Sequence, residues 1–349
     1  MQQRPDRRPT VWLGVLITAL LAACAAPAAR ELTPHVAPAE AARPATVAPA
    51  APLEALRVGF ANVAVAHAPL YVALESGAFV RQGLDVELIN VGAATASQAA
   101  LVAGDVLVAG LGGSSTITAM LAGADLTIVA SLFDTAPYQV LSTPDITAIA
   151  DLRGKTIGIN RFGGSADFVV RYLLRQAGVD PEREVVLLQV GAQPERVAAL
   201  RNGAIQATLV DPPFQILADR ESLRIIADTA ELDLAYPHDV LAVNREWLRT
   251  RRDQARRVLQ AVVDGARLFK SDRELGMRAL QRWLKLDDPA LLADTYAYFT
   301  RFTRAMPDRL LPSEEGLQLV IEEVAAQRPE ARALRPADLV DSSLVAEIR

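Results

Sequence analysis

Cysteine occurs once in this chain of 349 residues, at Cys24, and histidine three times, at His35, His67 and His238. A lone cysteine excludes an internal disulfide and any cysteine-rich metal site. A structural metal takes about four ligands and a catalytic zinc usually three from the protein. Without HExxH or a second cysteine, no metal and no cofactor is expected. GxxxxGK[ST] is absent, and Gly112-Gly113 lacks the GxGxxG spacing, so Walker and Rossmann phosphate sites are excluded as well. The formal charge is −5 and there is no Lys/Arg run, which leaves no surface for nucleic acid. Aromatic residues make up only 5% of the chain.

What is present is a chain that can bury a core. Its composition is 51% hydrophobic and 22% charged, outside the range of disordered segments, and its length suits about two domains. Arg4, Arg7 and Arg8 precede the apolar run Val11–Leu21, which is too short to span a bilayer and reads as a cleaved export signal. That run ends in Leu21-Ala22-Ala23-Cys24, which resembles a bacterial lipobox. The resemblance implies cleavage before Cys24 and lipidation of its thiol. Removing residues 1–23 takes away a net charge of +2 and leaves −7, so a lipid rather than charge would hold the chain at a membrane. Residues 24–54 are rich in Ala and Pro and read as a semi-extended tether.

The body is organised around an internal repeat. Leu56–Gly112 and Lys155–Asp211 align without gaps at an offset of 99 residues, as from Arg57 to Thr156 and from Gly104 to Gly203. A period near 100 is too long for a solenoid, whose units run about 20–50 residues. It suits two α/β lobes facing each other across a cleft. Strands are expected at Leu56–Phe60, Val86–Val91, Asp105–Leu111 and Leu126–Phe133, and again at Thr156–Asn160, Val185–Val190, Ala204–Val210 and Leu223–Ala227. Helices are expected at Leu70–Ser76, Ser97–Ala103, Thr116–Leu121, Ser165–Gln176, Pro194–Arg201 and from Pro213 towards Ala218. This order predicts two parallel, doubly wound sheets. After a strand at Asp239–Val243, the segment Arg245–Arg349 has helical spacing and is expected to pack back on the first lobe. The chain would cross between lobes near Asp134–Ser142 and Thr229–Asp239. Residues 55–137 with 238–349 would form lobe 1, and residues 138–237 lobe 2.

Ligands of parallel α/β sheets sit beyond the carboxyl ends of the strands. Here those ends carry four loops: Asn62–His67, Gly112–Ser115, Arg161–Asp167 and Asp211–Pro213. Gly112-Gly113-Ser114-Ser115 and Gly163-Gly164-Ser165 each lead into a helix, where free N–H groups and a hydroxyl suit a carboxylate, sulfonate or phosphate oxygen. Ser114, Ser115 and Ser165 are also ordinary helix caps by type. Asp211 either caps the next helix or accepts hydrogen bonds from a ligand. Arg161 is the cation nearest these loops, Asn62 and His67 are the polar groups of the first, and His238 flanks the second crossover. Phe133, Tyr138, Phe162 and Tyr236 could stack on a planar ligand or pack in the core. No Ser/His/Asp or paired-carboxylate spacing falls on these loops, so an enzyme is not expected.

Several of these segments resemble a known family. Leu56–Phe60, Pro69-Leu70-Tyr71-Val72-Ala73 and Gly77-Ala78-Phe79 are similar to the opening of bacterial ABC-transporter substrate-binding proteins for nitrate, aliphatic sulfonates, taurine and thiamine pyrimidines. Asp151-Leu152-Arg153-Gly154-Lys155-Thr156-Ile157-Gly158 resembles that family's DLKGKKIG segment. Gly203-Ala204-Ile205-Gln206-Ala207 before Asp211-Pro212 resembles its GxxDA…EP segment, with Asp where Glu is frequent. The cysteine-rich iron motif of related fungal pyrimidine synthases is absent. The resemblance implies a type II periplasmic-binding-protein fold, two lobes on a two-strand hinge, and no catalysis. It also implies a small-molecule ligand and ABC permease subunits as partners; with the lipobox, a monomeric lipoprotein at the outer face of the cytoplasmic membrane or in the periplasm is expected. A ligand sensor, or a lyase on the same fold, would be the alternatives.

Overall fold

Chain order and sheet order differ in the same way in two five-stranded sheets. The computed structural model describes residues 52–61, 63–92, 94–214, 223–232, 234–301 and 306–348, all within the unit Ala50–Arg349. The leader, Cys24, the tether and Asn62 lie outside the described residues, as does most of the helix expected from Pro213. The first sheet holds β1 (Glu54–Phe60), β2 (Leu84–Asn90), β3 (Val108–Gly112), β4 (Leu126–Thr135) and β10 (Ala235–Asn244), in the order β2-β1-β3-β10-β4. The second holds β5 (Gln139–Ser142), β6 (Thr156–Ile159), β7 (Val186–Gln189), β8 (Ala207–Val210) and β9 (Arg224–Asp228), in the order β7-β6-β8-β5-β9.

The expected parallel sheets are in fact mixed, and the reason is topological. β4 leaves the first sheet at its carboxyl edge and continues into β5, which enters the second sheet at the same kind of edge, with Gln139 opposite Val210. A strand entering there must run antiparallel to its neighbours. β9 returns the chain in the same manner through β10, with Asp239 opposite Gly112. The two crossings lie side by side, with Thr135 opposite Ala235 and Gln139 opposite Asp228.

The repeat holds at the level of single contacts. Phe60 pairs with Asn90 and Ile159 with Gln189, each the other's counterpart one repeat away. A Cβ on Gly59 would lie 3.2 Å from Val106 Cγ2, and one on Gly158 would lie 2.5 Å from Ile205 Cδ1. Val106 and Ile205 are themselves repeat partners, so both lobes spend a glycine on the same close passage of a β-branched side chain.

The helices that frame the cleft are α1 (Ala68–Glu75), α2 (Ala78–Arg81), α3 (Ala94–Ala103), α4 (Gly113–Leu121), α5 (Ser165–Gln176) and α6 (Gln193–Arg201). α4 begins at Gly113 rather than Thr116, so the expected Gly/Ser loop is wound into its first turn. The carboxyl-terminal part is helical as expected: α7 (Arg245–Thr250), α8 (Arg252–Ser271), α9 (Arg273–Leu284), α10 (Pro289–Arg301) and α11 (Glu314–Gln327) are its longer helices. On α8, Val258, Val262, Val263, Ala266 and Phe269 are buried on the face that meets α1 and α2. α11 departs from the expectation. Its Leu317, Val320 and Ile321 share an apolar cluster with Ile157, Phe168 and Leu209, and it packs on β10, α4 and α5. The tail therefore reaches both sheets. Among the described residues, no helix is long and apolar enough to cross a membrane.

Candidate ligand-binding cleft

The carboxyl ends of β3, β6 and β8 bring the expected loops together between the sheets. A Cβ on Gly112, at the end of β3, would lie 3.3 Å from Ser165 Oγ of α5. One on Gly113 would fall 2.0 Å from Pro237 O, so only glycine fits at the start of α4. The serines are not caps: the N-cap residues of α4 and α5 are Gly112 and Gly164, and neither has a side-chain bond. Ser115 Oγ and Thr116 Oγ1 donate to Gly112 O at 2.8 and 2.9 Å. Ser114 Oγ is buried without a hydrogen-bond partner, and so is Tyr236 Oη. The Tyr236 hydroxyl lies beside Ser114 and Ser165, and burial pushes it up to about 12.

Asp211 follows β8 and is buried. Gln193 clamps it from both sides: Nε2 donates to Asp211 Oδ1, and Asp211 N donates to Gln193 Oε1 at 2.9 Å. Burial pushes the Asp211 carboxyl up to about 6, against the pull of Gln193 and the Arg196 charge. Arg196 is itself buried and satisfied, donating to Thr208 Oγ1 (3.0 Å), Gly191 O (2.7 Å) and Leu209 O (2.8 Å). It is a structural cation that faces the back of the Asp211 site. Asp211 Oδ1 is thus taken by Gln193, while the helix that Asp211 would cap lies outside the described residues.

His238 is buried among Tyr138, at 5.1 Å edge-on, Phe133, at 6.4 Å, and Tyr236, at 6.3 Å between ring centroids. Burial pulls its imidazole down to about 4, with Asp239 opposing, and Nδ1 has no partner. At neutral pH it is an uncharged ring with one open nitrogen. His67 corrects the expectation of an open polar grip. It is fully buried in the 3₁₀ turn Val65–His67, with Nε2 3.3 Å from Asp239 Oδ2 and its ring 5.4 Å from Phe60. Neither His67 nitrogen nor Asp239 Oδ1 makes a hydrogen bond, so His67 faces Asp239 without satisfying it.

The second Gly/Ser loop also differs from its expected role. Gly163 N donates to Asp167 Oδ2 at 2.8 Å, and Asp167 Oδ1 takes Arg171 Nε at 2.6 Å. Gly164 N donates to Arg161 O at 3.3 Å. The positive end of α5 is therefore closed by its own first-turn carboxylate, whereas α4 has no acidic residue in its first turn. Arg161 is half-buried, and burial lowers its pKa. Phe162 is exposed.

Gln193, Arg196, Asp167 and Asp239 were not singled out from sequence. Asp167 was findable, because a carboxylate four residues beyond Gly163 can reach back to that turn. Gln193 and Arg196 gave no such signal, since their partners lie on another strand. Among the described residues, no group of three or more His, Cys, Asp or Glu side chains could hold a metal. Ser114 Oγ, Tyr236 Oη and His238 Nδ1 are without hydrogen-bond partners.

The family profile described as NMT1/THI5 like matches residues 64–273, well over half of the chain. The chain belongs to the NMT1/THI5-like family. Among curated relatives of this NMT1/THI5-like chain, the binding protein YtlA of Bacillus subtilis strain 168 is 22% identical over 269 residues, covering 75% of this chain and 80% of YtlA. Among solved structures, the periplasmic aliphatic sulphonate binding protein SsuA from Escherichia coli superposes with a TM-score of 0.64 at 20% identity, over 83% of this chain and 91% of SsuA. The desulfurization enzyme DSZB superposes at 0.60 and 14% identity, over 84% of this chain and 98% of DSZB. These likenesses show a periplasmic-binding-protein fold, which carries binding proteins and at least one enzyme.

Proposed function

We propose that this protein captures a small polar or anionic solute between its two lobes and delivers it to an ABC importer. One observation carries the reading: Ser114 Oγ at the start of α4, and Tyr236 Oη, His238 Nδ1 and Asp239 Oδ1 on the adjoining β10, are buried and unpaired. Each buried polar atom without a partner costs about 1–3 kcal/mol, so a ligand that pairs them gains binding energy from the closed form. Residues 55–137 with 238–349 and residues 138–237 act as the two lobes, closing about the paired crossings, and the permease subunits read closure. Residues 1–23 act as the export signal, and Cys24 carries the lipid that tethers a monomer at the outer face of the cytoplasmic membrane or in the periplasm.

The test is calorimetric and thermal-shift titration of the full chain in detergent with nitrate, sulfonates, taurine and pyrimidines. A ligand raises the melting temperature in a saturable way and compacts the protein in small-angle scattering. Ser165→Trp abolishes both responses while circular dichroism stays native; unaltered affinity in this variant would place the site elsewhere. The fold shared with DSZB favours a second reading, a small-molecule lyase. Recovery of the bound ligand chemically unchanged after prolonged incubation excludes it.

A further inference from the structure

We propose that α11 is the specificity wall of this cleft, holding the apolar arm of an organic anion whose charged head sits at the start of α4. The proposal rests on the binding reading above. It adds a site on a helix that lies beyond the family-matched residues 64–273.

A cavity of about 240 Å³ opens beside the cleft, lined by Ser114 and Thr118 of α4, Phe162 and Phe168 at the head of α5, and Glu323 and Val324 of α11. Its polar end is Ser114, whose Oγ is unpartnered and whose side chain is only 3% exposed. This hydroxyl sits in the first turn of the nine-residue helix α4, where no acidic residue offsets the positive helix end. The apolar part of its wall is made by Phe162, Phe168 and Val324, and the remaining lining side chains are polar or charged. Phe168 stacks on Tyr236 at 4.5 Å and 15°, and Phe162, 53% exposed, stands at the rim.

The carboxylates in the wall do not repel an anion as free charges would. Asp167 is held by Arg171 and Gly163 N, and Glu323 by Arg175. Arg328 adds a positive charge at the mouth. α11 is also fixed at its amino end, where Ser313 Oγ accepts from Gly316 N at 3.2 Å and Asp134 Oδ2 accepts from Ser313 N at 3.0 Å. A wall anchored at both α5 and the first crossing can measure the length of what lies against it.

Volume decides between a compact oxyanion and an organic one. A planar inorganic anion would fill only a small part of this cavity and leave the rest to water. An apolar arm that displaces that water from Phe162, Phe168 and Val324 gains contacts and buried area that a compact anion cannot. An arm of several carbon atoms fills it.

The experiment is calorimetry on the full chain with n-alkanesulfonates from methanesulfonate to hexanesulfonate, and a matched n-alkylamine series as control. Affinity is expected to rise with sulfonate chain length. Val324→Phe should weaken hexanesulfonate about tenfold or more while leaving methanesulfonate within about twofold. Gln327→Trp, on an exposed position at the mouth, should reproduce that length-dependent loss without touching the core. Sulfonate binding that is insensitive to length in the wild type, or equally affected at all lengths in both variants, overturns the wall and leaves the cleft reading intact. Binding of amines alone overturns the anionic head. Binding of neither series, with nitrate, taurine and pyrimidines also silent, overturns the solute-binding reading and this proposal with it.

Discussion

Asp211 and His238 are shifted in opposite directions by the same cause. Burial disfavours the charged form of each, so the carboxyl rises to about 6 and the imidazole falls to about 4. At neutral pH the cleft thus holds an ionised Asp211 and an uncharged His238. The folded state binds the Asp211 proton more tightly than the unfolded chain, whose value is near 3.8. The stability linked to it is present at acid pH and is lost as pH rises through about 6. Asp211→Asn should therefore be more stable than wild type at pH 7.5, by about 2–3 kcal/mol, with the gap closing near pH 4; urea unfolding at both pH values measures it. His238 works the other way, its contribution being lost as pH falls from 6.5 towards 4. His238→Gln should keep more of its stability on acidification than wild type over that range, by the same assay. At this scale the sequence placed Gly, Ser and Asp residues at the carboxyl ends of β3, β6 and β8, where the structure has those strands ending. It did not show their states: whether Gly163 N–H is open or taken by Asp167, or whether His67 faces solvent or Asp239, depends on rotamers and burial.

Arg196 shows how one side chain ties elements together. From α6 it reaches Thr208 and Leu209 on β8 and the Gly191 turn beneath Asp211. Arg196→Met should strand three acceptors and lower the unfolding free energy by about 3–5 kcal/mol. Arg196→Lys should not restore it, because an ammonium lacks the planar fork that serves three directions at once. Denaturant melts of the two variants give the comparison, and full stability in either would remove Arg196 from this role. Most elements were legible beforehand, since strand and helix periods are local and the repeat doubles the signal. The antiparallel direction of β5 and β10 was not: four residues such as Gln139–Ser142 look alike whichever way they run. The early start of α4 also escaped, because Gly-Gly-Ser reads as a loop until Pro237 packs on it.

The whole molecule turns on the paired crossings. Thr229 Oγ1 donates to Ala136 O and accepts from Tyr138 N at 3.0 Å, while Thr135 Oγ1 donates to Leu234 O at 2.9 Å. Thr229→Val keeps the shape and removes the hydroxyl, leaving two buried backbone groups unpaired. It should cost about 1–3 kcal/mol in unfolding free energy and shift solution scattering of the unliganded protein towards a more open form; an unchanged scattering profile would show that Thr229 does not set closure. Composition, the strand–helix order, the duplicated halves and the placement of Gly/Ser loops at strand ends could all be read from the chain alone, because each rests on short-range periodicity or on a repeat visible by inspection. Mixed sheets, the Gln193–Asp211 clamp and the packing of α11 on α5 were settled only by the three-dimensional packing. Those features join side chains from 18 residues apart, as Gln193 and Asp211 are, to 148 apart, as Arg175 and Glu323 are. No local pattern records which distant groups burial will bring into contact.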